Sequence, residues 1–294
     1  MFLVTGITGK VGGATARHLL QMGRQVRALV RDKAKAAAWT AKGVELVEGE
    51  WADPVAITRA LDGVEGAYLM MPPIQTPSRD FREAKAIIAS YKEALAKSAP
   101  SRLVVLSSMG SEKSSGLGLI TATHLIEEAL GSEPFPVAFV RAGSFYENYL
   151  FGLEAAQGGT LPIFYAPTDR KIPMIATEDI GAEIARLLTS QWSGKRIIEL
   201  GSMVSADDLA AALGQALGRE VKAQAIPRQA WAGVLQQMGF PEGGTWAFEE
   251  MVDGVNSGWI GLGVEGTEPV QGTTGARDVF AEANRALQVP AASQ

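Results

Sequence analysis

Three glycines near the start of the chain carry its clearest chemical signal: Gly6, Gly9 and Gly12 in Thr5-Gly-Ile-Thr-Gly-Lys-Val-Gly12. The short apolar run Phe2-Leu-Val-Thr5 before them reads as a buried strand. Lys10 to Met22 after them reads as a helix, ended by Gly23. Between a strand and a helix, this spacing suits a pyrophosphate. Gly6 can take the positive φ of a tight turn, Gly9 leaves the backbone open to approach, and Gly12 lets the helix pack closely on the strand. The helix N-terminus then offers unpaired N–H groups and a positive dipole end. Thr8, Lys10 and Val11 sit at the mouth of the same loop. A P-loop is excluded, because no Gly-Lys-Ser/Thr follows at the required spacing.

The second signal is Val30-Arg31-Asp32. An acidic residue about 20 positions after a dinucleotide loop holds the ribose hydroxyls of NAD, whereas a nearby arginine accommodates the 2′-phosphate of NADP. Arg31 can meet that phosphate bidentately and stack on adenine. Asp32, one step further, can accept from a free 2′-hydroxyl. The pair favours NADP, with NADPH preferred over NADH, and leaves a solvated strand-end charge as the other reading of Arg31.

Composition removes several competing chemistries. The chain has no cysteine, so thiolate nucleophiles, disulfides and thiolate metal sites are out. With two histidines, His18 and His124, no multi-histidine metal site is expected. The net charge of −5 argues against direct nucleic-acid binding through a basic face. No apolar run reaches the length of a bilayer span, so no membrane partner is expected. Met-Phe-Leu-Val runs straight into Thr5-Gly6, which gives no sign of a signal peptide and suggests a cytoplasmic protein.

These residues need a scaffold, and the alternation of short apolar runs with helical stretches supplies one. Strands are predicted at Gln25–Val30, Val44–Val47, Gly66–Met71, Leu103–Leu106 and Val137–Val140. Helices are predicted at Asp32–Lys42, Pro54–Leu61, Ser78–Lys97 and Thr121–Leu130. The order implies an α/β fold, a doubly wound parallel Rossmann sheet covered on both faces. After Arg141 glycines, aromatics and prolines become frequent. Residues 1–147 are therefore read as the dinucleotide domain, with a return at 171–201. Residues 148–294 are read as a smaller, mostly helical α+β substrate or partner domain. Within them, helices are predicted at Ile180–Leu188 and Ser205–Leu217 and a strand at Ile197–Leu200.

The segments Val4–Gly12, Val26–Asp32, Arg141-Ala-Gly-Ser-Phe-Tyr-Glu-Asn148, Ile175–Gly181 and Gly218–Val221 resemble the NmrA-like branch of the atypical short-chain dehydrogenases. The resemblance implies an NADP-binding fold whose members include quinone, azo-dye and triphenylmethane-dye reductases and proteins that sense the NADP state. It implies that Glu50 and Trp51 border adenine, and that Met71 and Pro72 border ribose and phosphates. It likewise places Ser107 and Ser108 near the nicotinamide ribose, and Ala142 to Phe145, including Gly143, beside the nicotinamide.

The tyrosine and lysine with which the parent superfamily protonates its substrate are missing: Leu119 and Thr123 fall at their places if Glu127 is aligned with the usual glutamate. Three substitutes are His124, Tyr146 and Ser108. Tyr146, Tyr149, Phe151, Phe164, Trp231 and Trp246 can line an apolar acceptor pocket or form the smaller domain's core. The expected activity is NADPH-dependent hydride transfer to a small quinone-like, aromatic or other conjugated acceptor. Such an acceptor delocalises the incoming charge, so positioning supplies much of the catalysis. The alternative is a non-catalytic NADP(H)-sensing regulator that binds a protein partner. A homodimer is compatible with either.

Overall fold

The first half of the chain runs β1 (Phe2–Thr5), α1 (Lys10–Gln21), β2 (Val26–Val30), α2 (Ala37–Thr40), β3 (Glu45–Glu48), α3 (Pro54–Leu61), β4 (Gly66–Leu69), α4 (Arg82–Lys97), β5 (Arg102–Ser108), α5 (Thr121–Leu130) and β6 (Val137–Ala142). The second half runs β7 (Ser144–Phe145), α6 (Leu153–Gln157), β8 (Thr160–Ile163), β9 (Lys171–Ile175), α7 (Thr177–Thr189), β10 (Lys195–Leu200), β11 (Ser202–Ser205), α8 (Ala206–Leu217), β12 (Lys222–Ala225), α9 (Trp231–Gln237), α10 (Trp246–Ser257), β13 (Glu268–Val270) and α11 (Ala276–Gln288). The computed structural model describes residues 1–288. The tail at Pro290–Gln294, read from the sequence as frayed, lies outside the described residues.

Eight strands form one sheet in the order β13-β10-β6-β5-β4-β1-β2-β3. Every neighbouring pair in it is parallel. The doubly wound α/β architecture predicted from the sequence is therefore present. β1, β4 and β6 are buried along their whole length, as strands covered on both faces must be. One core layer joins the sheet to Ile57, Ile88, Tyr91 and Ile126 from α3, α4 and α5. The layer on the other face holds Leu19, Ile180, Ile184 and Leu188 from α1 and α7. There α1 and α7 approach very closely: a Cβ on Gly181 would lie 2.4 Å from Ala14 Cβ.

β10 joins the sheet beside β6, and β13 extends the edge beyond it. β13 belongs to the segment read as the smaller domain, yet it lies in the main sheet. β9 instead pairs with β7 and β11 in a small three-stranded sheet, and β8 pairs with β12. Around these lies a further apolar core, including Leu161, Met174, Leu209, Leu213 and Phe280, which Met109, Leu117 and Ile120 join from the β5–α5 connection.

Two helices start several residues later than the sequence reading placed them. The helix predicted over Asp32–Lys42 shrinks to α2, because Asp32 Oδ1 accepts from Ala34 N at 2.8 Å and Lys35 N at 3.4 Å and turns the chain. An aspartate side chain bonding nearby backbone N–H groups competes with helix in this way. The helix predicted from Ser78 starts instead at Arg82. Phe81 before it takes φ +53°, and its ring is buried.

Candidate cofactor and active site

β1 has β2 on one side and β4 on the other, so the strand order reverses beside it. In such sheets the ligand crevice opens at the carboxyl ends of the strands at that point. The glycine loop occupies this place. Gly6 has φ +65°, and a Cβ on it would lie 2.6 Å from Met70 Sδ. A Cβ on Gly12 would lie 2.3 Å from Gly6 O and 2.7 Å from Thr5 O, so helix and strand touch backbone to backbone. At Gly9 the one neighbour within 4 Å of such a Cβ is Gly6 O, at 3.2 Å, and the residue is exposed. Gly9 is also the N-cap of α1 and supplies no side-chain cap. The first-turn N–H groups are left for an anion. Thr8 and Lys10 are exposed and Val11 is buried. Lys10 Nζ donates to Glu147 O at 3.3 Å, tying the loop to the segment after β7.

Arg31 is exposed at the end of β2 and makes no hydrogen bond or ion pair among the described residues. Asp32 Oδ1 is already engaged by the turn it forms. The cationic partner for a 2′-phosphate is thus uncommitted, while the acidic partner for a 2′-hydroxyl has a structural task. A loop open at Gly9, an uncapped helix end and an unpaired arginine all fit a phosphorylated dinucleotide. Beyond β3, Glu50 is exposed and Trp51 packs against the α3–α4 core. Beyond β4, Met71 is buried and Pro72 half-buried.

A linked polar cluster occupies the end of β5 and the start of α5. Ser107 Oγ donates to Glu127 Oε1 at 2.5 Å and lies 3.1 Å from Ser111 Oγ. Ser111 Oγ lies 2.8 Å from Thr123 Oγ1. Arg141, buried in β6, donates from Nε to Glu127 Oε1 at 2.9 Å and from Nη2 to Glu127 Oε2 at 2.6 Å. Its Nη1 reaches Glu112 Oε2 at 3.2 Å. Burial works against the charge on Arg141, but Glu127, Glu112 and Glu199 hold the guanidinium even more firmly protonated than usual. His124 Nδ1 lies 2.9 Å from Ser111 O. Ser108 is half-buried, and its hydroxyl makes no hydrogen bond among the described residues.

Tyr146 is 4% exposed and belongs to the same buried cluster as Met109 and Ile120, which flank the β5–α5 connection. Its hydroxyl has no hydrogen-bond partner among the described residues. Burial, then the Asp179 and Glu147 carboxylates, push its pKa up, so the phenol stays protonated at neutral pH. The other aromatics divide. Phe164, Trp231 and Phe248 stack edge-on in an apolar cluster of the second half of the chain. Tyr149 OH bonds Ser144 Oγ at 2.8 Å. Trp246 packs on Phe81 with Arg79 over its ring, while Phe151 is exposed.

A family model described as the NmrA-like family matches residues 1–267. The chain belongs to this family. Quinone oxidoreductase 2 of Escherichia coli (strain K12) is 29% identical to it over 247 residues, covering 83% of this chain and 84% of that protein. NAD(P)H azoreductase of Xenophilus azovorans is 28% identical over 247 residues, covering 82% of each. The crystal structure of an NADPH-dependent quinone oxidoreductase from Escherichia coli matches with a TM-score of 0.75 at 26% identity, over 97% of this chain and 100% of that one. Triphenylmethane reductase from Citrobacter sp. matches in fold with a TM-score of 0.80 at 21% identity, over 97% and 99% of the two chains.

Within this NmrA-like chain, some residues have tasks that the sequence did not reveal. Ser107 gives its hydroxyl to Glu127. Gly143 is needed against Pro173, whose O would lie 2.5 Å from an added Cβ. Phe145 packs against the α1–α7 core. Glu147 was missed altogether: its Oε1 accepts from Thr177 N at 2.9 Å and from Thr177 Oγ1 at 2.5 Å, capping α7. Glu127 and Arg141 were also missed as a pair. The signal was present, because an arginine closing the apolar run Val137-Ala-Phe-Val-Arg141 needs a buried anionic partner. A groove of about 570 Å³ runs along β3 past Arg27, Lys33 and Arg59 and includes no residue of the glycine loop or the β5–α5 cluster.

Proposed function

We propose that this NmrA-like protein is an NADPH-dependent reductase that passes hydride to a quinone-like, aromatic or otherwise conjugated small molecule. The observation that carries the reading is the uncommitted Arg31 beside an open glycine loop, with Asp32 withdrawn into its turn. Support comes from the relatives: a quinone oxidoreductase and an azoreductase align with more than four fifths of the chain.

Bound NADPH supplies a hydride to the acceptor. The protein's part is binding, orientation and proton supply. The N-terminus of α1 and the glycine loop hold the pyrophosphate, and Arg31 holds the 2′-phosphate. Glu50, Trp51, Met71 and Pro72 border the adenosine half, while Gly143 and Phe145 border the nicotinamide. Ser108, His124 and Tyr146 face the acceptor, and the last two can donate a proton to the reduced product. Residues 148–294, apart from α7, β10 and β13, supply the acceptor side. The same reading places the protein in the cytoplasm, as a monomer or a homodimer. Among the described residues no helix is long and apolar enough to cross a membrane.

The test is NADPH oxidation with a panel of quinones, azo dyes and triphenylmethane dyes. Turnover with at least one class is expected. Absence of turnover across the panel, with NADP and NADPH binding at different affinities, would replace the enzyme by a redox-state sensor. That second reading draws on the missing tyrosine and lysine, at whose places stand Leu119 and Thr123.

A further inference from the structure

We infer that Ser111 is a positioning residue for His124: its carbonyl fixes the imidazole as the Nδ1–H tautomer and so makes Nε2 the atom that delivers a proton to the reduced acceptor. The inference rests on the reductase reading above, but its first half can be tested without turnover.

Ser111 is 1% exposed, so its carbonyl oxygen needs a donor within the protein. His124 Nδ1 is placed to be that donor at 2.9 Å. A neutral imidazole carries one proton, and only the Nδ1–H form satisfies the buried carbonyl. The same bond persists in the imidazolium, where Nε2 is also protonated. His124 Nε2 has no partner among the described residues and is not sealed from solvent. One ring nitrogen is thus committed to the backbone, and the other is left for proton transfer.

The carbonyl is held in turn. Residues 108 to 111 form a tight turn, with Ser111 N donating to Ser108 O at 3.2 Å and Gly110 at φ +85°. The Ser111 hydroxyl is tied on both sides, to Ser107 Oγ and Thr123 Oγ1. Ser107 is anchored on Glu127, and Glu127 on Arg141. Thr123 Oγ1 also reaches Ile120 O at 2.8 Å. The contacts Glu127–Ser107, Ser107–Ser111, Ser111–Thr123 and Thr123–Ile120 O cannot all be filled by three hydroxyl protons while Glu127 is an anion. Ser107 must donate to Glu127, which leaves the Ser111 hydroxyl free to donate to either neighbour. The turn is held whichever way that hydroxyl points.

In the reaction, hydride addition to a neutral conjugated acceptor such as a quinone leaves one negative charge on it. The His124 imidazolium gives its Nε2 proton to that anion, returns to the Nδ1–H form, and regains a proton from water. One hydride and one proton enter the acceptor, and NADPH leaves as NADP⁺.

The test uses the full chain labelled with ¹⁵N-histidine, with and without NADPH, at about pH 8.5, where an unperturbed imidazole is neutral. With two histidines in the chain, His18→Gln assigns the spectrum. His124 should show a protonated Nδ1 and an unprotonated Nε2. In Ser111→Ala, and separately in Thr123→Val, the signals should move toward a tautomer mixture. The acceptor kcat should fall about tenfold, with KM for NADPH unchanged. In a His124→Asn background, Ser111→Ala should cost nothing further, an outcome that a merely structural role does not give. An Nε2–H signal in the wild type, or equal losses from Ser111→Ala with and without His124, overturns the inference. An Nδ1–H signal with no acceptor turnover would leave the tautomer assignment standing and refute the reductase reading.

Discussion

Gly12 shows how one missing side chain decides a site. An added Cβ would meet backbone oxygens at 2.3 and 2.7 Å, and backbone cannot rotate away as a side chain can. Gly12→Ala is therefore expected to destabilise the fold by about 1–3 kcal/mol and to abolish dinucleotide binding. A urea melt beside a cofactor titration checks both. Tyr146 is set by its surroundings: burial, Asp179 and Glu147 raise its pKa, so it holds its proton through neutral pH. With His124 delivering the proton, Tyr146→Phe should lower acceptor kcat by less than about threefold and leave NADPH binding alone. A stopped-flow comparison with the wild type checks it. The conformation of the glycine loop was legible in the sequence because it depends on spacing within one strand, turn and helix, and the role proposed for Arg31 rests on the same spacing. The tasks of Ser107 and Gly143 were not, because Glu127 and Pro173 reach them only through the folded sheet.

At the scale of elements, the strands and crossover helices followed from apolar runs and their punctuation. The errors lay where a polar side chain redirected the backbone, at Asp32, or where a buried ring imposed an unusual φ, at Phe81. The link between β6 and α5 is a buried ion pair, Arg141 with Glu127. Removing one partner of such a pair leaves a buried charge short of its compensation, here with Glu112 alone, so Glu127→Gln should cost about 3 kcal/mol in a denaturant melt. α8 is held at its start by a capping box, with Ser205 Oγ accepting from Asp208 N and Asp208 accepting from Ser205 N. Ser205→Ala should cost about 1 kcal/mol. The Ser205 backbone N–H and hydroxyl lower the Asp208 pKa. Its contribution is therefore present above the unfolded carboxylate pKa, about 3.9, and is lost as pH falls through the folded value. Asp208→Asn should destabilise the protein at neutral pH and lose that penalty in acid, as thermal melts across pH would show.

For the whole molecule, one parallel sheet draws strands from both ends of the chain. α1, which opens at the glycine loop, packs against α7, which Glu147 caps from the segment after β7. Lys10 adds a second tie between the glycine loop and that segment. The glycine loop and the segment after β7 are thus parts of one assembly, and the proposed cofactor preference is its most direct consequence. Titration of wild type and Arg31→Ala with NADPH and NADH tests this most directly. Wild type should bind NADPH more tightly than NADH. Arg31→Ala should lose about 10- to 100-fold in NADPH affinity, the worth of a charge-assisted bond to phosphate, with NADH little changed. Equal affinity of the wild type for both cofactors, or no selective loss in Arg31→Ala, would contradict the account.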